Sequence, residues 1–151
     1  MSDLINHIGR DTLPATVVEQ FVRWCVLEQA KPSLLKVLKM VEFDTLIGEI
    51  QAAENFDVLL ALSVQANTWA KSQRERGRTG LLGYSAAEAA AFEFGNMLRA
   101  TQQTQFDAEA VAFFAARVHS WAGWAATQFS DPSQKAIAEK AARDAQETYL
   151  R

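Results

Sequence analysis

The chain has 151 residues, of which 49% are hydrophobic and 22% are charged, and this length and composition are typical of one globular domain rather than two. The composition excludes a disordered tail protein, and the formal net charge of -3 excludes a global positive field that would attract nucleic acid or an acidic membrane. The single cysteine, Cys25, excludes an internal disulfide and fits a reducing cytosol.

Neither a targeting signal nor a membrane-spanning segment is predicted. Residues 1–11 mix charged side chains with short apolar pieces and lack the basic-then-apolar layout of a secretory signal. The longest apolar stretches, residues 17–27 and 58–66, are interrupted by polar side chains and fall short of the ~20 apolar residues of a membrane span. We therefore expect a cytoplasmic protein with no membrane contact.

The composition also favours helices, because alanine occurs 26 times, 19 of them from Ala86 onward, and proline only three times. Residues 1–12 are expected to be irregular or loosely ordered. A first helix is predicted over residues 14–30 and a second over residues 32–41, opening at Pro14 and Pro32 because proline suits a first helical turn. Asp44 is the predicted cap of a short third helix.

The middle of the chain predicts two longer helices. Asn55 is the expected cap of a helix that reaches residue 73 and buries Val64 among its apolar side chains, and residues 77–83 form the next loop. Ser85 and Glu88 have the spacing of a capping box, in which each side chain bonds a backbone N–H left free at the helix start. The following helix is therefore expected over residues 85–102.

Two more helices complete the prediction. Asp107 caps one that reaches residue 128, and the Ser-Asp-Pro sequence at residues 130–132 opens the last, which ends at Leu150. Alanines line the last three helices, so their backbones can approach closely, and Trp121 and Trp124 fill the space between them. Since no segment alternates as a strand does, the predicted fold is all-α, a single-domain bundle of about six or seven helices.

Few side chains are candidates for catalysis or metal binding. The two histidines, His7 and His119, fall on different predicted elements without a metal-ligand spacing. For His119, on an apolar helix, a hydrogen-bonded position in or beside the core is favoured, and Cys25 is expected to pack as a small hydrophobe. No nucleophile–base pair is recognisable, so we predict a non-enzymatic protein without metal or cofactor.

One stretch of the chain concentrates negative charge. Between residues 42 and 57 there are five carboxylates and no Lys or Arg, with two aromatic side chains beside them, and we call these seven residues the acidic segment: Glu42, Phe43, Asp44, Glu49, Glu54, Phe56 and Asp57. Such a surface attracts a basic protein at long range, offers aromatic anchors for the contact, and repels nucleic acid. The alternative is a solvated surface without a partner.

A second group of side chains is basic, and we call it the basic cluster: Lys71, Arg74, Arg76 and Arg78. Glycines follow it, and their backbone N–H groups, together with the helix expected to open at Ser85, could hold a phosphate. The spacing matches no P-loop, because the Gly-Lys-Ser/Thr ending is missing. We favour the alternative that these side chains complement the dipole at a helix C-terminus.

Four features resemble, in their order along the chain, the alanine-rich helical immunity proteins of bacterial polymorphic-toxin systems. They are FVRWC at residues 21–25, ANTWA at 66–70, WAGWAA at 121–126 and AARDAQETYL at 141–150. The resemblance implies a protein that binds and neutralises a cognate toxin. It carries over no catalytic residue.

Two functional hypotheses follow from these patterns. The first is a non-enzymatic protein-binding domain that masks a partner, such as a basic toxin domain, by steric and electrostatic contact through the acidic segment. The second is a regulator that binds a small ligand or nucleic acid through the basic cluster, although the net charge argues against nucleic acid. Either is compatible with a homo-oligomer, because a helical domain can leave one apolar face for a second copy.

Overall fold

The computed structural model describes residues 13–77, 81–102 and 107–151, and most of these residues are helical. The helices are α1 (Ala15–Trp24), a π-helical segment (Cys25–Ala30), α2 (Lys31–Met40), α3 (Asp44–Ala52), α4 (Phe56–Glu75), α5 (Leu81–Thr101), α6 (Ala108–Ala126) and α7 (Ser133–Leu150). No strand occurs in these three ranges, and the predicted all-α bundle is confirmed. The irregular stretch predicted for residues 1–12 lies outside them.

The predicted caps at Asn55 and Asp107 are confirmed, and both satisfy N–H groups that a helix start leaves free. Asn55 Oδ1 accepts from two backbone N–H groups in the first turn of α4, at 2.8 and 3.1 Å. Asp107 Oδ1 accepts from the backbone N–H of Ala110 at 3.0 Å. Asp131 accepts from the backbone N–H of Ser133 at 3.1 Å, so a side-chain oxygen also marks the start of α7.

Two other predicted caps are wrong. Ser85 lies inside α5, which begins at Leu81, and Glu88 makes a bond of 2.7 Å to the Arg74 guanidinium of α4 instead of closing a capping box. Because α5 begins four residues before Ser85, the backbone N–H groups that a capping box would satisfy lie inside the helix and are not free. Asp44 is the first residue of α3, and no side-chain hydrogen bond caps that helix.

Pro32 lies in the first turn of α2, as the sequence predicted, but α1, the π-helical segment and α2 form one continuous helical path instead of two separate helices. The backbone N–H of Lys31 bonds to the carbonyl of Val26, five residues earlier, which is the wide turn of a π-helix. Proline lacks an N–H and its ring clashes with the carbonyl four residues earlier in an α-helix. The wide turn relieves this conflict, and Ser33 Oγ satisfies the Gln29 carbonyl at 2.9 Å.

The centre of the bundle is α6, which packs along α5 and α7 and also contacts the π-helical segment and α2. Its buried side chains are small: Ala108, Val111, Ala112, Ala115, Ala116, Val118, Ser120, Ala122 and Ala125. Small side chains let the neighbouring backbones approach closely, as the alanine pattern predicted. The helix α4 completes the bundle by packing along α5.

A buried amide pair joins the two halves of the chain. Gln146 of α7 is fully buried, and its Nε2 donates to Gln29 Oε1 and to the carbonyl of Ala112, each at 2.8 Å. Gln29 Nε2 in turn donates to the carbonyl of Ala142 at 2.9 Å. Since buried amides must be hydrogen-bonded, these contacts fix the π-helical segment against α6 and α7.

Candidate functional site

The acidic segment runs from the end of α2, through α3, to the first turn of α4. Glu42 follows α2, Asp44 and Glu49 lie on α3, Glu54 lies between α3 and α4, and Asp57 lies in the first turn of α4. All five are exposed. The segment therefore presents its carboxylates to solvent from three consecutive elements of the chain.

Three of these carboxylates have no cationic partner within the described ranges: Glu42, Asp44 and Glu49. Glu54 lies 3.8 Å from an Arg23 guanidinium nitrogen, with both side chains exposed, and such a pair contributes ~0–1 kcal/mol. Asp57 Oδ1 accepts a hydrogen bond of 2.9 Å from Gln102 Nε2, a neutral donor. The negative charge of the segment is therefore largely uncompensated.

The two aromatic side chains of the segment pack inward. Phe43 is half-buried and stacks on Trp69 of α4 with ring centroids 4.1 Å apart, and Trp69 meets Tyr84 of α5 edge-on at 5.7 Å. Phe56 is also half-buried and packs against the core. Both rings hold the segment on the bundle, so only part of each is left to anchor a partner.

The turn that carries Glu42 has a fixed backbone. Glu42 has a φ of 60°, in the left-handed region that glycine adopts most easily, and its N–H bonds to the Lys39 carbonyl at 3.2 Å. The next N–H, of Phe43, bonds to the Leu38 carbonyl at 3.4 Å. These bonds close the end of α2 and set the direction in which the chain enters α3.

Lys31 stabilises the acidic segment by bonding to the end of α3, a role that its sequence context did not predict. Its Nζ donates to the carbonyls of Gln51 and Ala53, at 2.9 and 2.7 Å, and so satisfies the C-terminal end of α3. Burial lowers the pKa of Lys31 below its usual range. The only sequence signal was the position of a lysine between Ala30 and Pro32, on the side of the helix that carries apolar residues.

The basic cluster is only partly free to bind an anion. Arg74 makes its short ion pair with Glu88, and that hydrogen bond raises the pKa of the guanidinium. Lys71 and Arg76 are exposed, whereas Arg78 lies outside the described residues. The helix start at Ser85, on which the phosphate hypothesis depended, is wrong, so the predicted dipole is not at that residue.

Cys25 and His119, the nucleophile and base candidates, lie at different depths in the bundle. Cys25 is fully buried, and burial raises the pKa of its thiol, which disfavours the reactive thiolate. His119 Nδ1 makes a 2.8 Å hydrogen bond with Ser33 Oγ, which confirms the hydrogen-bonded position expected for this ring. Burial, and secondarily the charge of Lys36, lower the pKa of His119.

Within the described part of the chain, no three His, Cys, Asp or Glu side chains lie close enough together to hold a metal ion. None of the described helices combines the length and apolar character needed to cross a bilayer. Comparison with known proteins finds no matching family model, curated protein or solved structure.

Proposed function

We propose that this chain is a non-enzymatic protein-binding domain whose acidic segment binds a basic surface of another protein. The observation that carries the proposal is a set of three exposed carboxylates that have no cationic partner among the residues the structure describes: Glu42, Asp44 and Glu49. Exposed charges that no neighbour compensates retain their full long-range attraction for a partner of opposite sign.

Steric and electrostatic masking is the mechanism that fits this surface. A negatively charged face accelerates encounter with a basic protein and fixes its orientation, while the rigid helical scaffold excludes solvent and substrate from the covered surface. A basic toxin domain is a partner of this kind, because an enzyme that recognises phosphate needs a positive active site. Within this proposal the chain acts as a cytoplasmic immunity protein that covers such a site.

The test compares two variants with the same change of net charge. The first carries Glu42→Gln, Asp44→Asn and Glu49→Gln, and the matched control carries Glu19→Gln, Glu75→Gln and Asp144→Asn on other exposed positions. Wild-type protein and both variants are used to capture proteins from the native host, and association rates with the captured partner are measured by stopped flow over a range of salt concentrations.

We expect the acidic-segment variant to associate about tenfold more slowly at low salt and to lose most of the salt dependence, whereas the control changes little. Circular dichroism should show the same helical content for all three proteins. Equal rates for the two variants with the identified partner contradict the proposal. Salt-sensitive binding of phosphate-bearing ligands that is lost in a Lys71→Gln, Arg76→Gln variant would instead support a regulator that uses the basic cluster.

A further inference from the structure

A shallow groove of about 190 Å³ lies between α4 and α5, away from the acidic segment's unpaired carboxylates. Its lining includes Ser63, Val64, Asn67, Phe92, Gly95 and Arg99. An engineered apolar cavity of ~150 Å³ accommodates benzene, so this groove has room for a ligand of about six to ten non-hydrogen atoms.

Two large apolar side chains on the walls of the groove are exposed. Val64, which the sequence predicted to be buried, is 45% exposed, and Phe92 is 55% exposed. Each large apolar side chain left in water costs free energy that a bound apolar group would recover. The two side chains therefore provide an apolar contact surface on either side of the groove.

Gly95 keeps the floor of the groove open. A Cβ added at this residue would lie 3.3 Å from Ser63 Oγ and 3.4 Å from Arg99 Nη1, distances that are tight for a carbon atom. A larger residue at this position would therefore fill the space and displace the arginine. The guanidinium lies over the glycine because no side chain separates them.

Arg99 is the charged group of the groove, and no carboxylate pairs with it in the described ranges. Its Nη1 donates to Asn96 Oδ1 at 3.2 Å, a neutral acceptor. Arg76 and Arg143 likewise have no carboxylate partner in these ranges, so the adjoining groove is what distinguishes Arg99. An exposed guanidinium of this kind offers planar paired donors to a carboxylate.

The remaining polar side chains of the lining are neutral and already hydrogen-bonded within the protein. Ser63 Oγ donates to the Leu60 carbonyl at 2.7 Å, and Asn67 Nδ2 donates to the Glu88 carbonyl at 2.8 Å. Arg99 is therefore the group that selects the polar end of a ligand, and it selects a negative charge. The apolar side chains of the walls favour an apolar body for the remainder of the ligand.

We propose that the α4–α5 groove binds a small monocarboxylate, with its carboxylate on Arg99 and its short apolar body between Val64 and Phe92. This site does not depend on the acidic segment. The same chemistry is presented by a free short-chain acid and by the C-terminal residue of a peptide, so the test includes a probe for each source.

The test titrates the full chain, labelled with ¹⁵N, with hexanoate, with the uncharged hexanamide of equal size, and with N-acetyl-leucine as a model of a peptide end. Ligands of this size bind with dissociation constants of about 1 mM. We expect hexanoate to shift the backbone amide signals of Ser63 and Gly95 and to bind about threefold to fivefold more tightly than hexanamide, because only hexanoate pairs with the exposed Arg99 guanidinium. Tighter binding of N-acetyl-leucine than of hexanoate assigns the site to a peptide end.

Two variants test separately the charge of Arg99 and the open space beside Gly95. Arg99→Gln is expected to reduce hexanoate binding to the level of hexanamide, whereas the matched Arg76→Gln, which removes an equally exposed arginine elsewhere, leaves it unchanged. Gly95→Ala is expected to weaken both probes by filling the floor, and its folding is checked by thermal unfolding. Any one of three results overturns the proposal. They are equal binding of hexanoate and hexanamide, unchanged hexanoate binding in Arg99→Gln, and no signal shift at about 10 mM hexanoate.

Discussion

Two glycines inside helices have opposite surroundings. A Cβ added at Gly123 of α6 would collide with Ala138 Cβ and lie 2.9 Å from the Gln134 backbone oxygen of α7, whereas one added at Gly48 of α3 would have no neighbour within 4 Å. The α6–α7 interface thus has no room for a side chain at Gly123, whereas α3 has open space beside Gly48.

The charges of these two regions differ in the same way. Next to the α6–α7 interface, Arg117 lies 3.1 Å from Glu93 and 3.9 Å from Glu139, and Glu93 also accepts from Trp121 Nε1 at 2.9 Å. The unpaired carboxylates of α3 and the preceding turn have no such neighbours in the described residues. The charges beside the α6–α7 interface are therefore paired, and we expect those of α3 to contribute little to stability.

The largest expected effect breaks the close packing. Gly123→Ala should lower the free energy of unfolding by about 3 kcal/mol, the upper part of the usual range for overpacking, because one of the atoms in the way is backbone. Gly48→Ala is the control and should raise stability by up to ~1 kcal/mol, since alanine is the better helix former. Urea unfolding of both variants measures the difference. Similar values for the two would contradict the contrast between the regions.

The next effect concerns the charges. Glu93→Ala removes the acceptor shared by Arg117 and Trp121 Nε1 and should lower the free energy of unfolding by about 2 kcal/mol, the cost of leaving partly buried donors without a partner. Glu49→Ala should change stability by less than ~0.5 kcal/mol, as for an exposed side chain without contacts. Thermal unfolding measures both. A loss of stability in Glu49→Ala equal to that in Glu93→Ala would show that the carboxylates of α3 are structural after all.

The smallest effect is a pH dependence of the packed region. Burial lowers the pKa of His119 in α6 below its ordinary value of 6.5, so the unfolded chain binds a proton more readily than the folded chain does. The free energy of unfolding should therefore fall as the pH drops below about 6.5 and level off below the folded-state pKa. Asp131, whose hydrogen bonds to Ser133 lower its pKa below 3.8, contributes only in a more acidic range.

The variant that isolates this effect is His119→Asn, which retains a hydrogen-bonding side chain without a titrating group. Unfolding curves at about pH 7.5 and about pH 5.5 should differ less for the variant than for wild-type protein. An identical pH dependence of the two proteins would assign it to other groups.

Features that depend on neighbours in sequence were predictable. Asn55 and Asp107 cap helices through bonds to N–H groups two or three residues away, and a local pattern is enough to find them. The capping box at Ser85 failed because α5 begins four residues earlier, at Leu81, and Glu88 pairs with Arg74 of another helix. The continuity of α1, the π-helical segment and α2 was missed because Pro32 was interpreted as the start of a separate helix, and no local pattern indicates the wide turn that accommodates it.

The candidate sites were predictable to different degrees. The exposure of the five acidic side chains follows from their charge, but the inward stacking of Phe43 on Trp69 does not. The groove with Arg99 has no sequence signal, because its walls come from two helices and its floor depends on a glycine facing Ser63. The support of α3 by Lys31 likewise joins residues about twenty positions apart.

The sequence by itself determined that the chain is helical, where several of its helices begin, and where its negative charge is concentrated, because composition, caps and charge act over a few residues. Only the tertiary structure decided which charges are compensated and which space is left open. Those properties depend on which helices lie side by side, and a pairing such as Arg117 with Glu93 joins residues that a local pattern does not connect.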